Sequence, residues 1–284
     1  MGACPEGLAL NSPEPTPGHG RNGHGLARSF KHTMSSLSRL LSIFNLFTQD
    51  RPAWSTEEIA QQLDCSIPTA YRYLRELTSM QLLRSASPGQ YVLGTKIIEL
   101  DYLIRTGDPL IQAGSGPIKQ LAREVDCDVA VISLSGMSLI TIHYEPSRID
   151  MLASYGRGRQ MPAFRGAMSL AVLANLSKPM LRKVYDAHQE EAQHTPGAQT
   201  LEELTQQLKA IRKAGYASSQ GALDPENAGL AIPFNLAEHG IAASLGLVMP
   251  MERFRLLEVQ KALGWLRHCE TQIQHHLKFP RKQA

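Results

Sequence analysis

Three short helical patterns followed by a hairpin signal, all within residues 35–94, limit what this chain can fold into more than any other feature of its sequence. Apolar residues recur at helical spacing over 37–47. Ser55 and Glu58 form a capping-box pattern at the start of a second helix, and Ser66 is a natural N-cap for a third. Two strand-like segments then flank a Pro-Gly turn. Three helices and a hairpin in so short a stretch predict a winged helix-turn-helix.

The spacing of the apolar residues predicts which helical faces are buried. The predicted buried face of the first helix consists of Leu37, Leu40, Leu41, Phe44 and Phe47. The predicted buried face of the third helix consists of Ala70, Leu74 and Leu77. Two tyrosines, Tyr71 and Tyr73, straddle the edge of that face. Periodicity alone does not say which of them packs inside, and we expect Tyr71 to point outward.

In a helix-turn-helix, the third helix presents polar and basic side chains to the major groove, while the wing touches the flanking backbone. Arginine can hold guanine through two hydrogen bonds, threonine can reach a base or a phosphate, and tyrosine can donate to a phosphate. The predicted contacts to double-stranded operator DNA are therefore Ser66, Pro68, Thr69, Tyr71, Arg72, Arg75 and Gln90. The alternative is that these arginines only form a solvated helix face, which is the commoner case for two arginines on an isolated helix.

Charge alone does not establish DNA binding. Residues 35–94 contain five Arg and Lys residues against five Asp and Glu residues, so this head is not net basic. The whole chain has a formal net charge of +3, which permits nucleic-acid binding without requiring it. Residues 1–33 are rich in Gly, Pro, Ser, Asn and His, and we predict a disordered arm there. Its basic residues Arg21, Arg28 and Lys31 would add phosphate contacts.

Beyond the predicted head, over residues 34–94, the sequence predicts a linker helix over 95–108 and a larger domain over 109–279. Helical and strand patterns alternate in the larger domain, and two of the strands are joined by the tight turn Ser135-Gly136-Met137. A long closing helix is predicted near 251–277. This order predicts an α+β fold, in which helices pack over an antiparallel sheet.

Composition excludes several classes of protein. With 43% hydrophobic and 19% charged residues, the chain is typical of folded globular proteins. No run approaches the ~20 apolar residues of a membrane span, so we expect no membrane partner and a cytoplasmic location. The four cysteines stand far apart, which indicates neither disulfides nor a metal site. Because hydrolase, phosphate-loop, zinc-protease and dinucleotide motifs are missing, we predict no cofactor and no enzyme activity.

The order of these residues resembles the IclR family of bacterial transcriptional regulators from about Ser35 to the end of the closing helix. In the head, the resemblance rests on Ser38-Arg39-Leu40-Leu41, Glu58-Ile59-Ala60, Thr69, Arg72 and Gly89-Gln90-Tyr91-Val92-Leu93-Gly94. In the larger domain, it rests on the run from Met161 to Ala171 and on Gly229-Leu230-Ala231-Ile232-Pro233. The resemblance implies a GAF-like effector-binding domain, a homodimer or homotetramer, and control by a small organic acid or an aromatic metabolite.

The resemblance also implies a set of effector-pocket positions: Gly166, Ala167, Met168, Asp224, Pro233, Gly246 and Val248. This set is mostly apolar, which favours a carboxylate with an aromatic or apolar body. Arg165 stands beside the loop and is the candidate to bind the carboxylate. An arginine at such a position is equally often a surface residue without a ligand. The family usually differs at four places: it carries His at 164, Gly-Lys at 169–170, an acid at 222 and glycine at 64.

Two other classes of function stay open at this point. The larger domain could assemble copies of the chain and sense nothing, in which case it would lack a cavity. Glycines within the strands near 229–235 and 240–248 favour a pocket instead. An enzyme is the remaining alternative, although Gly156-Arg157-Gly158-Arg159 is more typical of a solvated loop than of an anion site. His143 and Tyr144 could hydrogen-bond a ligand, but a strand-end histidine is more often structural or exposed.

Overall fold

A computed structural model describes residues 35–147, 156–236 and 241–279 of the chain. Contacts divide the chain into two compact units, and the division falls between Thr95 and Lys96. The arm predicted over residues 1–33 lies outside the described residues. The limits predicted for the domains stay predictions.

The first unit has the three helices and the hairpin that the sequence predicts. Its elements are α1 (Ser36–Ser42), a 3-10 helix (Ile43–Leu46), β1 (Trp54–Ser55), α2 (Thr56–Gln62), α3 (Ile67–Ser79), β2 (Leu83–Ser87) and β3 (Gln90–Leu93). The strands form an antiparallel sheet in the order β1-β3-β2. Strand β1 was not predicted, because two residues are too few to show an alternating pattern.

The buried face predicted for the first helix is wrong in part. Leu37 and Leu41 expose 66% and 54% of their surface, whereas Ile43 is fully buried. The buried stripe instead runs through Leu40, Ile43, Phe44 and Phe47, at positions i, i+3, i+4 and i+7. Because each helical residue turns by about 100°, Leu41 then points away from the core.

The helix starts of the head follow their local chemistry. The predicted capping box is confirmed: Glu58 N donates to Ser55 Oγ (3.2 Å), and Ser55 N donates to the Glu58 carboxylate (2.9 Å). Ser66 occupies the N-cap of α3, but its hydroxyl contacts the Thr69 hydroxyl (2.9 Å) instead of a backbone N–H. Between the two helices Asp64 has φ +48, a left-handed conformation that Asp adopts more readily than most residues. The conformation explains how Asp64 serves where the family usually carries glycine.

The second unit is built on a six-stranded antiparallel sheet in the order β6-β5-β4-β9-β8-β7. The helix α4 (Thr95–Gly107) leads into it. Its remaining elements are α5 (Pro109–Val125), β4 (Asp128–Ser135), β5 (Ser138–Glu145), β6 (Gln160–Met161), α6 (Ala167–Ala174), α7 (Lys178–Ala187), α8 (Gln189–Gln193), α9 (Leu201–Ala214), β7 (Ala217–Gln220), β8 (Asn227–Leu236), β9 (Ile241–Pro250), α10 (Met251–Arg255) and α11 (Val259–Lys278). The predicted α+β fold is confirmed.

Helices cover both faces of this sheet, and the strand residues alternate between two cores. Leu245 and Leu247 of β9 pack with α5 and α11 on one face. Val248 and Ala231 point to the opposite face, where they pack with α6 and α9. We call this second side the α6 face. All eight residues of α6 are buried against this face, so α6 is the most deeply buried helix of the unit.

The long closing helix that the sequence predicts is interrupted. Helix α10 ends at Arg255, and α11 begins only at Val259. The interruption turns Phe254 and Leu257 onto the core formed with α11, while Leu256 stays exposed. The break therefore places two apolar side chains against the core, where their burial stabilises the fold. The short elements β6 and α8 were also missing from the prediction.

Candidate functional site

The outer face of α3 presents the predicted DNA-contacting side chains to solvent. Ser66, Pro68, Tyr71, Arg72 and Arg75 are exposed, and Thr69 is half-buried. Tyr71 exposes 51% of its surface and Tyr73 only 4%, which confirms that Tyr71 points outward. The helix therefore carries a polar, basic and aromatic surface of the kind that enters a major groove.

The arginines of the head fall into two groups. Arg51 stacks over the Trp54 ring, 3.4 Å from its centroid, and forms an ion pair with Glu58. The pKa of Glu58 is lowered, first by the Ser55 N–H that donates to it and then by the Arg51 charge. By contrast, Arg75 has a long 3.5 Å contact to its exposed neighbour Glu76, and the exposed Arg72 lies 5.7 Å from the centroid of the Tyr73 ring. Arg51 thus holds the fold, whereas the arginines of α3 remain available to phosphates or bases.

The wing adds one predicted residue and one that was missed. Gln90 lies in the central strand β3, opposite Ser55 and Ser87, and is half-buried. The chain reverses at Pro88-Gly89, where Gly89 has φ +76. Arg84 is exposed on β2 and is a further cation of the wing. No pattern in the sequence distinguishes Arg84 from any other arginine in a strand.

The predicted pocket positions largely converge on the α6 face. Gly166 is the N-cap of α6 with φ +86, and Ala167 N donates to Ser219 Oγ of β7 (3.0 Å). Met168 lies directly over Gly246 of β9: a Cβ added at 246 would be 2.6 Å from Met168 Cγ. Pro233 is paired with Ser244, and Val248 with Gly229, two residues either side of the Ala231–Gly246 pair. Pro233 and Val248 therefore point to the same face as Gly246. The Met168 side chain therefore fills the space above the central strands.

Two predicted residues take up other positions. The Asp224 carboxylate accepts from Glu226 N (3.1 Å) and Asn227 Nδ2 (2.8 Å), so it holds the turn between β7 and β8. Leu223 of the same turn packs against Gly166. Arg165 is exposed beside the loop. Its part in carboxylate binding stays a prediction.

The loop before α6 is anchored by a residue that the sequence did not single out. The carboxylate of Glu191, from α8, accepts from the backbone N–H groups of Ala163 (2.9 Å) and Phe164 (3.0 Å). The Phe164 ring is buried against Tyr185 and His188, with centroids 5.7 and 6.3 Å away. The aromatic packing explains how phenylalanine serves where the family usually carries His.

The Gly-Arg loop is solvated in part, as expected: Gly158 and Arg159 are exposed, whereas Gly156 and Arg157 are half-buried. Arg157 donates to the Ile142 carbonyl and to Asp101 of α4, with 3.0 Å between Arg157 Nη2 and Asp101 Oδ1. Asp101 also pairs with Arg105 (2.6 Å). Burial alone raises the pKa of Asp101, but the hydrogen bonds from Arg157 and Arg105 outweigh it, and the pKa is lowered. The loop thus ties α4 to strand β5.

His143 and Tyr144 differ in their surroundings. The pKa of His143 lies below its ordinary 6.5, chiefly because the ring is buried and also because Arg157 and Arg105 are nearby. The Tyr144 hydroxyl donates to the buried carboxylate of Asp128, which also accepts from Ser147 N (2.8 Å). Both side chains therefore belong to the framework of the sheet.

Two classes of site find no support in the described residues. Over 35–147, 156–236 and 241–279, no group of three or more His, Cys, Asp or Glu side chains is placed to hold a metal ion. In the same ranges, no helix combines the length and the apolar character that crossing a membrane requires.

Comparisons with known proteins agree with this architecture. Residues 36–87 match the IclR helix-turn-helix domain, and residues 105–275 match the domain described as "Bacterial transcriptional regulator IclR C-terminal". The HTH-type transcriptional regulator KipR of Bacillus subtilis (strain 168) is 23% identical over 215 residues, covering 75% of this chain and 85% of KipR. KdgR of Dickeya chrysanthemi is 24% identical over 226 residues, covering 78% of this chain and 73% of KdgR.

Solved structures show the same fold. An IclR family transcriptional regulator from Brucella abortus superposes with a TM-score of 0.72 at 18% identity, covering 89% of this chain and 96% of its own. An IclR homolog from Microbacterium hydrocarbonoxydans, complexed with 4-hydroxybenzoate, superposes with a TM-score of 0.70 at 21% identity, covering 86% and 99%. Since the two domain matches span both units, the chain belongs to the IclR family of non-enzymatic transcriptional regulators, with a helix-turn-helix that binds DNA and a C-terminal domain that binds an effector.

Proposed function

We propose that the effector is a carboxylate with an aromatic body, bound on the α6 face of the C-terminal sheet. The observation that carries this proposal is the apolar lining formed by Ala167, Met168, Gly246 and Val248. Such a surface suits a ring better than a small hydrophilic acid. The 4-hydroxybenzoate complex of the Microbacterium homolog supports an aromatic acid in this fold. A regulator of this kind acts where the DNA is, in the cytoplasm.

The proposed route from effector to DNA runs through α4. This helix follows the wing strand β3 after one residue, Gly94, so a movement of α4 is passed to the head along the chain. Arg157 links α4 to the Ile142 carbonyl at a bulge of β5, where the register against β4 shifts. An effector that prefers one position of β5 shifts the population of α4 positions by its difference in affinity.

We further propose a homodimer or homotetramer. The outward residues of α4 include five large apolar side chains: Ile98, Leu100, Tyr102, Leu103 and Ile104. Exposed apolar side chains around a helix in this number are typical of a protein interface, and paired heads require an operator with inverted half-sites. Sedimentation equilibrium tests the assembly: we expect a multiple of 31.3 kDa, and a monomer contradicts it.

A C-terminal domain that only assembled copies of the chain would have no room for a ligand, and one observation points that way. Met168 fills the space over Gly246, so a ligand must displace this side chain. Methionine is unbranched and adapts its rotamer readily, so its displacement is compatible with sensing. Isothermal titration of the full chain with benzoate, 4-hydroxybenzoate and aliphatic carboxylates separates the candidates. Binding of an aromatic acid supports the proposed effector class, and the absence of binding to every acid contradicts it.

A further inference from the structure

Three buried hydroxyls on the α6 side of the sheet have no hydrogen-bond partner among the described residues. Thr141 and Ser244 are completely buried, and Ser169 of α6 exposes 1% of its surface. A buried hydroxyl without a partner destabilises the folded state, because it has given up its hydrogen bonds to water. Alanine or valine would fill these positions without that penalty. The three hydroxyls therefore point to a partner that the chain does not itself supply.

Two of these hydroxyls lie on one rung of the sheet. Thr141 of β5 is opposite Ile132 of β4, and Ile132 is in turn opposite Ser244 of β9. Residues on one rung point to the same face, and Ile132 packs on the α6 face. With strands about 4.8 Å apart, Thr141 and Ser244 stand roughly 9–10 Å from each other, with the Ile132 side chain between them.

The polar residues are displaced along the strand from the pocket positions that the family resemblance implies. Gly246 and Val248 of β9 offer no side-chain hydrogen bond, whereas Ser244 lies on the same face two residues earlier. Met168 sits over Gly246, next to this rung. The apolar part of the site and its polar part are thus neighbours on β9.

We infer that Thr141 and Ser244 form the polar subsite of the effector site, and that the ligand is a para-substituted aromatic acid. Its ring lies over Ile132, and oxygen substituents at its two ends hydrogen-bond to the two hydroxyls. The roughly 9–10 Å span fits one ring with hydrogen bonds of about 2.8 Å inclined to the sheet. Displacement of Met168 opens the way to this rung. The inference rests on the proposed aromatic effector.

The test compares two probes, 4-hydroxybenzoate and benzoate, by isothermal titration of the full chain and of two variants that each lack one hydroxyl, Ser244→Ala and Thr141→Val. The wild type should prefer 4-hydroxybenzoate. Each variant should bind 4-hydroxybenzoate about tenfold more weakly, the value expected for one lost hydrogen bond, and one of them should bind both probes equally. The matched control is Ser133→Ala, because Ser133 lies on β4 and its hydroxyl donates to the Ala242 carbonyl (3.4 Å).

Thermal unfolding of the unliganded proteins supplies a second readout. Removal of an unpartnered hydroxyl should leave Tm unchanged or raise it by a few degrees, on the order of 2–4 °C, whereas Ser133→Ala should lower it. Wild-type binding that both variants retain in full overturns the subsite alone. A lower Tm in both variants also overturns it, because the hydroxyls would then have structural partners. If the wild type binds neither probe, the proposed aromatic effector fails together with the subsite.

Discussion

Arg72 is the residue through which the head is expected to read a base. It is exposed on the outer face of α3. Arg72→Ala should weaken specific operator binding by roughly 1–3 kcal/mol if the guanidinium contacts a guanine. Fluorescence anisotropy with operator and scrambled DNA measures the effect. Arg182→Ala, which removes an exposed arginine of α7, is the matched control. An unchanged operator affinity for Arg72→Ala would assign Arg72 to the solvated surface.

Gly94 closes the wing within the head, directly after strand β3. A Cβ at this position would lie 2.0 Å from the Gln81 carbonyl oxygen, and Gly94 N donates to the Leu82 carbonyl (2.8 Å). Gly94→Ala should therefore destabilise the head by about 3 kcal/mol or more, since the clash is with backbone. Thermal unfolding followed by circular dichroism measures this. Gly107→Ala, which meets nothing within 4 Å at the other end of α4, should be neutral or stabilising. Equal melting of the two variants would contradict the account.

The burial of a residue could be predicted from the sequence where a single helical or strand period decides which face it lies on. Ala70, Leu74 and Leu77 follow the helical repeat, and all three are buried as predicted. Thr141 could not be singled out, because its facing depends on a bulge in β5, where the register against β4 shifts between Val131 and Ile132. An alternating pattern cannot reveal an extra residue in one strand.

The tie between α4 and β5 belongs to the scale of elements. Asp101→Asn removes the charge that holds Arg157, and both side chains are partly exposed, so the stability cost should be below about 1 kcal/mol. Effector and DNA should each still bind alone. The factor by which effector changes operator affinity, typically about 5- to 150-fold in coupled systems, should fall toward one.

Measurement of operator affinity with and without effector in the Asp101→Asn protein tests this role. Asp186→Asn is the matched control, because Asp186 pairs with Arg182 within α7 and has no link to α4. Full coupling in Asp101→Asn would show that the signal takes another route.

Strand β5 should also make stability depend on pH. His143 has a lowered pKa, so the unfolded chain binds its proton more readily than the folded one. The contribution of the neutral His143 ring to the free energy of unfolding is fully present above pH 6.5. It is lost as the pH falls through the lower pKa of the folded state. Thermal unfolding between pH 5 and 8 should show a smaller decline in His143→Gln than in the wild type. His194→Gln, at an exposed position, should follow the wild type. An equal decline in His143→Gln would exclude His143 as the cause.

Long elements with strong periods could be predicted, and short or interrupted ones could not. Helix α9 (Leu201–Ala214) is of the first kind, with Leu204 and Leu208 buried about one helical turn apart. The two-residue strands β1 and β6 are held by pairing with distant strands, so no local pattern marks them. The break after Arg255 follows from packing of Phe254 and Leu257 on the core, which the sequence shows only as continuing helical spacing.

At the scale of the whole molecule, the order of elements sufficed to predict both folds, and named residue motifs carried the resemblance to the family. The identity of the effector depends on side chains that meet across the sheet from distant parts of the chain. Gly166, Met168 and Gly246 are brought together by the pairing of β9 with β4 and β8 and by the packing of α6. Sequence spacing cannot show that Met168 occupies the space above Gly246.

The central claim is that an aromatic carboxylate controls binding of DNA by this chain. The most direct measurement is a mobility-shift titration on the DNA upstream of its own gene, at fixed salt, with and without 4-hydroxybenzoate, benzoate and aliphatic carboxylates. We predict a specific shift on an inverted repeat whose midpoint changes with an aromatic acid and not with the aliphatic ones. A specific shift that no aromatic acid alters would contradict the claim.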